Sequence, residues 1–212
     1  LHDSLGTKNE PQYAGSGKPA SGADLTELGE YAAKVGNRKA GTSADRAGLT
    51  GNDAWPGLEF SETDTGATYL YTSASGWKLR SLPLTAWTPT VGNVGTSSVY
   101  ARYKVTDGVV TAFIRIVVSS APSTNPTVSL PIAADTAAPI GSGLAAYMER
   151  VSDGTCIFCA VYLTSSTQVA WYPEFSTGSP AYVRQGLTVS ATNPFTWLAG
   201  DVIGATLTYP LP

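Results

Sequence analysis

Few residues in this chain have the chemistry for catalysis or metal binding. The single His, His2, sits in a Gly- and Pro-rich stretch, so imidazole catalysis has no well-placed candidate. Two Cys form the run Cys156-Ile-Phe-Cys159. That spacing suits half of a zinc knuckle or a redox pair, but no second pair and no nearby His completes a ligand set. The flanking residues alternate as a strand, which puts positions three apart on opposite faces and about 10 Å from each other. Two thiols so placed neither share an ion nor form a disulfide, and two free, at least partly buried thiols are expected. A glycosidase needs two carboxylates across a cleft, one of them with a raised pKa. Glu149, Asp153, Glu174 and Asp201 lie in the β-rich half, and nothing in their spacing singles out a pair. Glu62, Asp64 and Gly66 have an incomplete run of oxygen ligands for calcium, and a turn accounts for them better. No catalytic residue, metal or cofactor is expected.

The aromatic residues are more informative. Trp171 and Tyr172 are adjacent on an expected strand and therefore point to opposite faces, one into the core and one to solvent. Tyr182 and Arg184 follow the loop Phe175-Ser-Thr-Gly-Ser-Pro180, where binding residues concentrate. Tyr and Trp faces provide amphipathic contact with sugar rings at low entropic cost. These four residues are the expected glycan-binding positions, with packing as the competing role for each.

The elements that must hold these residues are written in the composition. The 212 residues carry 13 basic and 16 acidic side chains, a net charge of −3, and only 14% are charged. Binding to nucleic acid through phosphate neutralisation is not expected from that balance. No apolar run reaches the roughly 20 residues that a membrane-spanning helix requires. Thr, Ser, Gly, Ala and Tyr take the place of charge, as on a β-rich extracellular surface.

Residues 1–20 read as an extended arm, because Gly and Pro at that density oppose both helix and central strand. In the 21–54 connector, residues 23–35 form a short helix with Leu25, Leu28, Ala32 and Val35 on one stripe. Asp24 or Ser21 caps it and Gly36 ends it. A helix this short is marginal alone, so the stripe packs either on its own domain or against copies of itself. Residues 37–54 look irregular. Residues 55–82 read as a three-stranded meander through Leu58–Phe60, Thr68–Tyr71 and Trp77–Arg80, too small to stand alone. Residues 83–212 alternate as about eight strands separated by Gly and Pro turns, a pattern of β-sandwiches and jelly rolls. The hairpin at Asp107-Gly108 is the clearest turn.

The run from Leu49 to Tyr71, with Trp55-Pro-Gly-Leu-Glu-Phe60 and Gly66-Ala-Thr-Tyr-Leu-Tyr71 and then Gly76-Trp77, resembles a segment of minor tail and tail-fibre proteins of tailed bacteriophages, notably those of actinobacteria. The Leu25-to-Arg46 stretch, with Leu28-Gly-Glu-Tyr-Ala-Ala-Lys-Val-Gly-Asn-Arg38, is similar to what usually precedes it, and the β domain from Trp87-Thr-Pro89 through Ala101-Arg-Tyr103 to Asn193-Pro-Phe-Thr-Trp197 and Gly200-Asp201 also fits. The resemblance implies a homotrimer in which a helical or shoulder region feeds β-sandwich heads, with no catalytic residues to carry over. Leu25, Leu28, Ala32 and Val35 would then be trimer contacts. Two roles follow from it: adhesion to host cell-surface glycan at the tail tip, or a head fibre or capsid decoration protein anchored by the N-terminal arm. A carbohydrate-binding module of a secreted enzyme is the third class. The expected location is the virion, made in the bacterial host cytoplasm.

Overall fold

A computed structural model describes residues 4–5, 11–12, 37–137, 146–173 and 188–212. The chain is mainly β and divides into two compact units, Leu1–Leu82 and Pro83–Pro212. The expected helix with Leu25, Leu28, Ala32 and Val35 lies outside the described residues, as do Tyr182, Arg184 and Glu174.

In the first unit, two short strands, β1 (Ser4–Leu5) and β2 (Pro11–Gln12), pair antiparallel. The stretch expected to be irregular contains β3 (Arg38–Gly41), a one-and-a-half-turn helix α1 (Ser43–Gly48) and a 3-10 turn (Gly51–Asp53). The signal for α1 is Thr42-x-x-Asp45. The Thr42 side chain accepts from the Asp45 N–H, and the Asp45 carboxylate accepts from the Thr42 N–H at 2.7 Å, a reciprocal cap. Asp64 adds to it by accepting from the N–H and hydroxyl of Ser43. The cap needs Gly41, where a Cβ would come within 2.9 Å of the Asp45 carboxylate and 3.1 Å of the Phe60 ring.

The crossover through α1 lets β3 run parallel to β4 (Glu59–Glu62), followed by antiparallel β5 (Thr68–Thr72) and β6 (Gly76–Ala86). The three-stranded meander is therefore extended by a fourth, parallel strand. Its small core holds Leu58, Phe60 and Ala67. Glu62 is buried among them, and Arg46 pairs with it at 2.7 Å while the Thr65 hydroxyl donates to its other oxygen. The Arg46 guanidinium also lies 3.8 Å from the centre of the Tyr69 ring.

The second unit is an antiparallel sheet in the order β8-β9-β14-β11-β12-β13-β10-β7. Its strands are β7 (Val91–Gly92), β8 (Gly95–Thr106), β9 (Val109–Ser120), β10 (Thr127–Ser129), β11 (Ala146–Arg150), β12 (Thr155–Ser165), β13 (Gln168–Pro173) and β14 (Val202–Pro210). In a flat sheet the edge strand β7 and β8 would stand about 34 Å apart. Only Asn93 and Val94 join them, and that link reaches about 10 Å, so the sheet curls until β7 approaches β8. Its halves thus face each other like a sandwich. Trp171 on β13 donates its indole N–H to the Gly204 carbonyl on β14 at 3.3 Å, although three strand spacings, about 14 Å, separate the two along the sheet.

The core between the halves takes Val105 from β8, Val110, Ala112, Ile114 and Ile116 from β9, Met148 from β11 and Ile203 and Leu207 from β14. These are the inward positions of the alternation. Asp107-Gly108 makes the β8–β9 hairpin with both residues at positive φ, 49° and 76°. The sequence pattern of Leu187–Ala191 predicts a further strand, but Ser190–Asn193 is instead a tight loop closed by a bridge between its end residues. Asn125 and Asn193 side chains take up the Val189 N–H and the Thr188 carbonyl there, so no sheet partner is needed.

Candidate functional site

Each residue picked out for its chemistry has a definite place. Cys156 and Cys159 lie on opposite faces of β12 and no disulfide joins them; Cys159 is buried, but Cys156 is exposed rather than partly buried because its position falls on the outward face. Asp153 is held by Arg150 and accepts from the Thr155 N–H. The Arg150 guanidinium beside it, the Thr155 hydroxyl and the Thr155 N–H keep its carboxyl well below the usual range.

Asp201 is buried, and both its oxygens are taken by backbone: one by the Val151 N–H at 3.0 Å, the other by the Leu198 N–H at 2.7 Å. Asp64 caps α1 and is drawn below its ordinary value first by the Ser43 hydroxyl and then by the Ser43 N–H. Among the described residues no three His, Cys, Asp or Glu side chains gather as a metal site. Asp64, Asp153 and Asp201 therefore hold the backbone in shape and Glu62 is occupied by Arg46, whereas Glu149 stands at an outward position of β11.

Trp171 is fully buried and bonded to Gly204, which removes it from any ligand-contacting face. Its neighbour Tyr172 points the other way and packs edge-on against Tyr162, with ring centres 5.4 Å apart. That contact belongs to the outward face of the sheet, where the register assembles side chains that are distant in sequence.

One row runs across five strands: Tyr100 on β8, Arg115 on β9, Gly204 on β14, Tyr147 on β11 and Phe158 on β12. End to end it spans about 19 Å. Phe158 is 71% exposed and Tyr100 57% exposed, although both are large and apolar. In the next row Arg102 stands opposite Phe113, and beyond it Lys104 stands opposite Thr111. Gly204 is required in the first row. A Cβ there would fall 2.5 Å from the Tyr147 ring and 2.7 Å from its hydroxyl, so the glycine lets the hydroxyl end of that ring lie across β14.

Tyr100, Arg102, Phe113 and Arg115 form a two-by-two array in which each aromatic stands opposite an arginine. The Arg102 guanidinium lies 5.5 Å from the centre of the Tyr100 ring, within cation–π range. Among the described residues no carboxylate pairs with Arg102, Lys104 or Arg115. The outward positions of β8, β9, β14, β11 and β12 carry these three cations and one acid, Glu149, in a chain of net charge −3.

Chemically, the face offers aromatic surfaces, guanidinium forks and the hydroxyls of Thr111, Thr206 and Thr208. Sequence inspection centred on Trp171, Tyr172, Tyr182 and Arg184 misses the array. A signal for it exists: Asp107-Gly108 is a two-residue hairpin, and counting back from it pairs Tyr100 with Arg115 and Arg102 with Phe113. No protein-family model matches the chain, and neither curated proteins nor solved structures yield a similar one.

Proposed function

We propose that this chain is a structural protein of a bacteriophage virion, a tail-tip or tail-fibre component whose β unit adheres to glycan on the host cell surface. The observation that carries the adhesive role is the outward sheet face. Large aromatic side chains stand exposed there beside hydroxyls and guanidinium groups that have no carboxylate partner among the described residues, on a chain otherwise poor in charge. Aromatic rings on a pre-formed sheet contact sugar faces with little ordering cost. Asp45, Glu62 and Asp201 are engaged in a cap, an ion pair and backbone bonds, which favours a binding protein over an enzyme.

The virion assignment rests on the resemblance to phage tail proteins of residues 25–46 and 49–80, and of the β domain that follows them. In this role the chain acts as a homotrimer through the 23–35 stripe, and the N-terminal arm and helix contact other virion proteins. Each head needs no cofactor, and three heads raise a weak single-site affinity through effective concentration.

Two measurements test the proposal together. Light scattering of the purified chain should give about 66 kDa, three copies of the 22.0 kDa chain, rather than one. Antibody labelling of phage particles should mark the tail tip, and the same protein should bind host cell walls. Label over the head without cell-wall binding would replace adhesion by capsid decoration. Absence from the particle would refute the virion role.

A further inference from the structure

We propose that the β8–β9 surface built by Tyr100, Arg102, Phe113 and Arg115 binds an anionic glycan, a sugar polymer bearing carboxylate or phosphate groups. This deepens the adhesive role proposed above and rests on it.

The charge argument is local. A chain of net −3 gathers Arg102, Lys104 and Arg115 on one face, and among the described residues none of them has a carboxylate partner. Guanidinium groups match planar or tetrahedral oxyanions with two parallel hydrogen bonds, stronger than neutral ones. Arg102 and Arg115 are diagonal neighbours across β8 and β9, about 7–8 Å apart or somewhat less at Cβ, and Lys104 follows Arg102 along the strand by about 7 Å. The three cations thus form a track, and a polymer with repeating anionic groups can meet more than one of them at once.

The aromatic members decide the rest of the ligand. Tyr100 and Phe113 occupy the positions between the cations, so an apolar sugar face and an acidic substituent can be engaged side by side. Thr111 lies opposite Lys104, and Thr206 and Thr208 stand on the adjoining strand β14, presenting hydroxyls to a hydroxyl-rich polymer. A single nucleic-acid strand also stacks on aromatics and arginine. Its affinity, however, grows with the number of phosphates neutralised, and three cations on an acidic chain supply little of that. A polymer with sparser charge and abundant hydroxyls fits the face better.

The test uses the full chain, immobilised, with four polymers passed over it at low and high salt: polygalacturonate, poly(glycerol phosphate), dextran and oligothymidylate. Binding of one or both anionic glycans is expected, with dextran and oligothymidylate weaker and the signal falling as salt rises. R102Q and R115Q should each weaken the anionic glycan by about tenfold, the scale of a charge-assisted hydrogen bond. Phe113→Ser should weaken it without removing the salt dependence. Arg38→Gln takes the same charge from an exposed site in the other unit and should leave binding unchanged.

Preference for oligothymidylate would overturn the proposal, and so would R102Q and R115Q variants that bind like the unaltered chain. A change in their light-scattering mass would also overturn it, by making the face a contact between copies of the chain. If dextran and host cell walls bind while both anionic glycans fail, this inference falls and adhesion stands. If no glycan and no cell wall binds, both fall.

Discussion

Asp201 gives the sharpest quantitative test of how the β unit is held together. Its two carboxylate oxygens serve two different segments: the Val151 N–H at the end of β11 and the Leu198 N–H in the loop before β14. Its own backbone adds to the junction, because the Asp201 carbonyl accepts from Val118 and the Gly200 N–H donates back to the Val118 carbonyl. Asp201→Ala leaves two N–H groups without an acceptor in a position that is 2% exposed. A buried group stripped of its partner costs about 1–3 kcal/mol. The pair therefore predicts a loss of about 2–6 kcal/mol, toward the lower end if water fills the space left by the carboxylate. Asp201→Asn keeps one acceptor oxygen and aims an NH2 group at the other N–H, so it should recover part of the loss and not all of it. Urea unfolding of the full chain measures the global effect, and native-state amide exchange at Val151 and Leu198 measures the local one. Both amides should exchange much faster in the Ala variant. A loss below about 0.5 kcal/mol, within the range of ordinary surface substitutions, together with unchanged exchange at both amides, would refute the bridging role.

Trp171 and Phe158 should separate core from surface. Trp171→Ala is expected to cost about 3–5 kcal/mol through its cavity, whereas Phe158→Ser on the exposed face should stay within about 0.5 kcal/mol by thermal or urea unfolding. A thiol reagent should modify Cys156 in the folded protein and Cys159 only on unfolding, and the unfolded, non-reduced chain should show two reactive thiols. One thiol pair lost to a disulfide would contradict the opposite-face placement on β12. In the first unit, the Asp45 and Asp64 carboxyls are both depressed, Asp45 chiefly by the Thr42 N–H and Asp64 chiefly by the Ser43 hydroxyl. The stability they add is complete above the ordinary carboxylate range and drains as pH falls below it, as the caps protonate. Asp64→Asn should therefore flatten the acid side of a stability–pH curve, and an unchanged slope would count against the cap.

Local alternation and turn chemistry were legible in the amino-acid sequence. Val99-x-Ala101-x-Tyr103-x-Val105 and Ala112-x-Ile114-x-Ile116 declare which face of each strand is apolar, because successive side chains point to opposite sides. Asp107-Gly108 sets the β8–β9 register, since a two-residue turn leaves one way to pair the flanking strands. The opposite-face positions of Cys156 and Cys159, and of Trp171 and Tyr172, follow from the same period of two. Which of Trp171 and Tyr172 is buried did not follow, because either ring suits either face. The curl of the sheet decided it by carrying β13 over β14, where the Gly204 carbonyl accepts the indole N–H. The parallel strand β3 was hidden for a related reason: four residues without clear alternation become a strand only beside β4, once α1 has crossed between them. The outward face combines both kinds of information. Its array on β8 and β9 is a matter of local register, but Gly204, Tyr147 and Phe158 join it through pairings between strands up to about a hundred residues apart in the chain, and such pairings are set by tertiary packing and not by any local pattern.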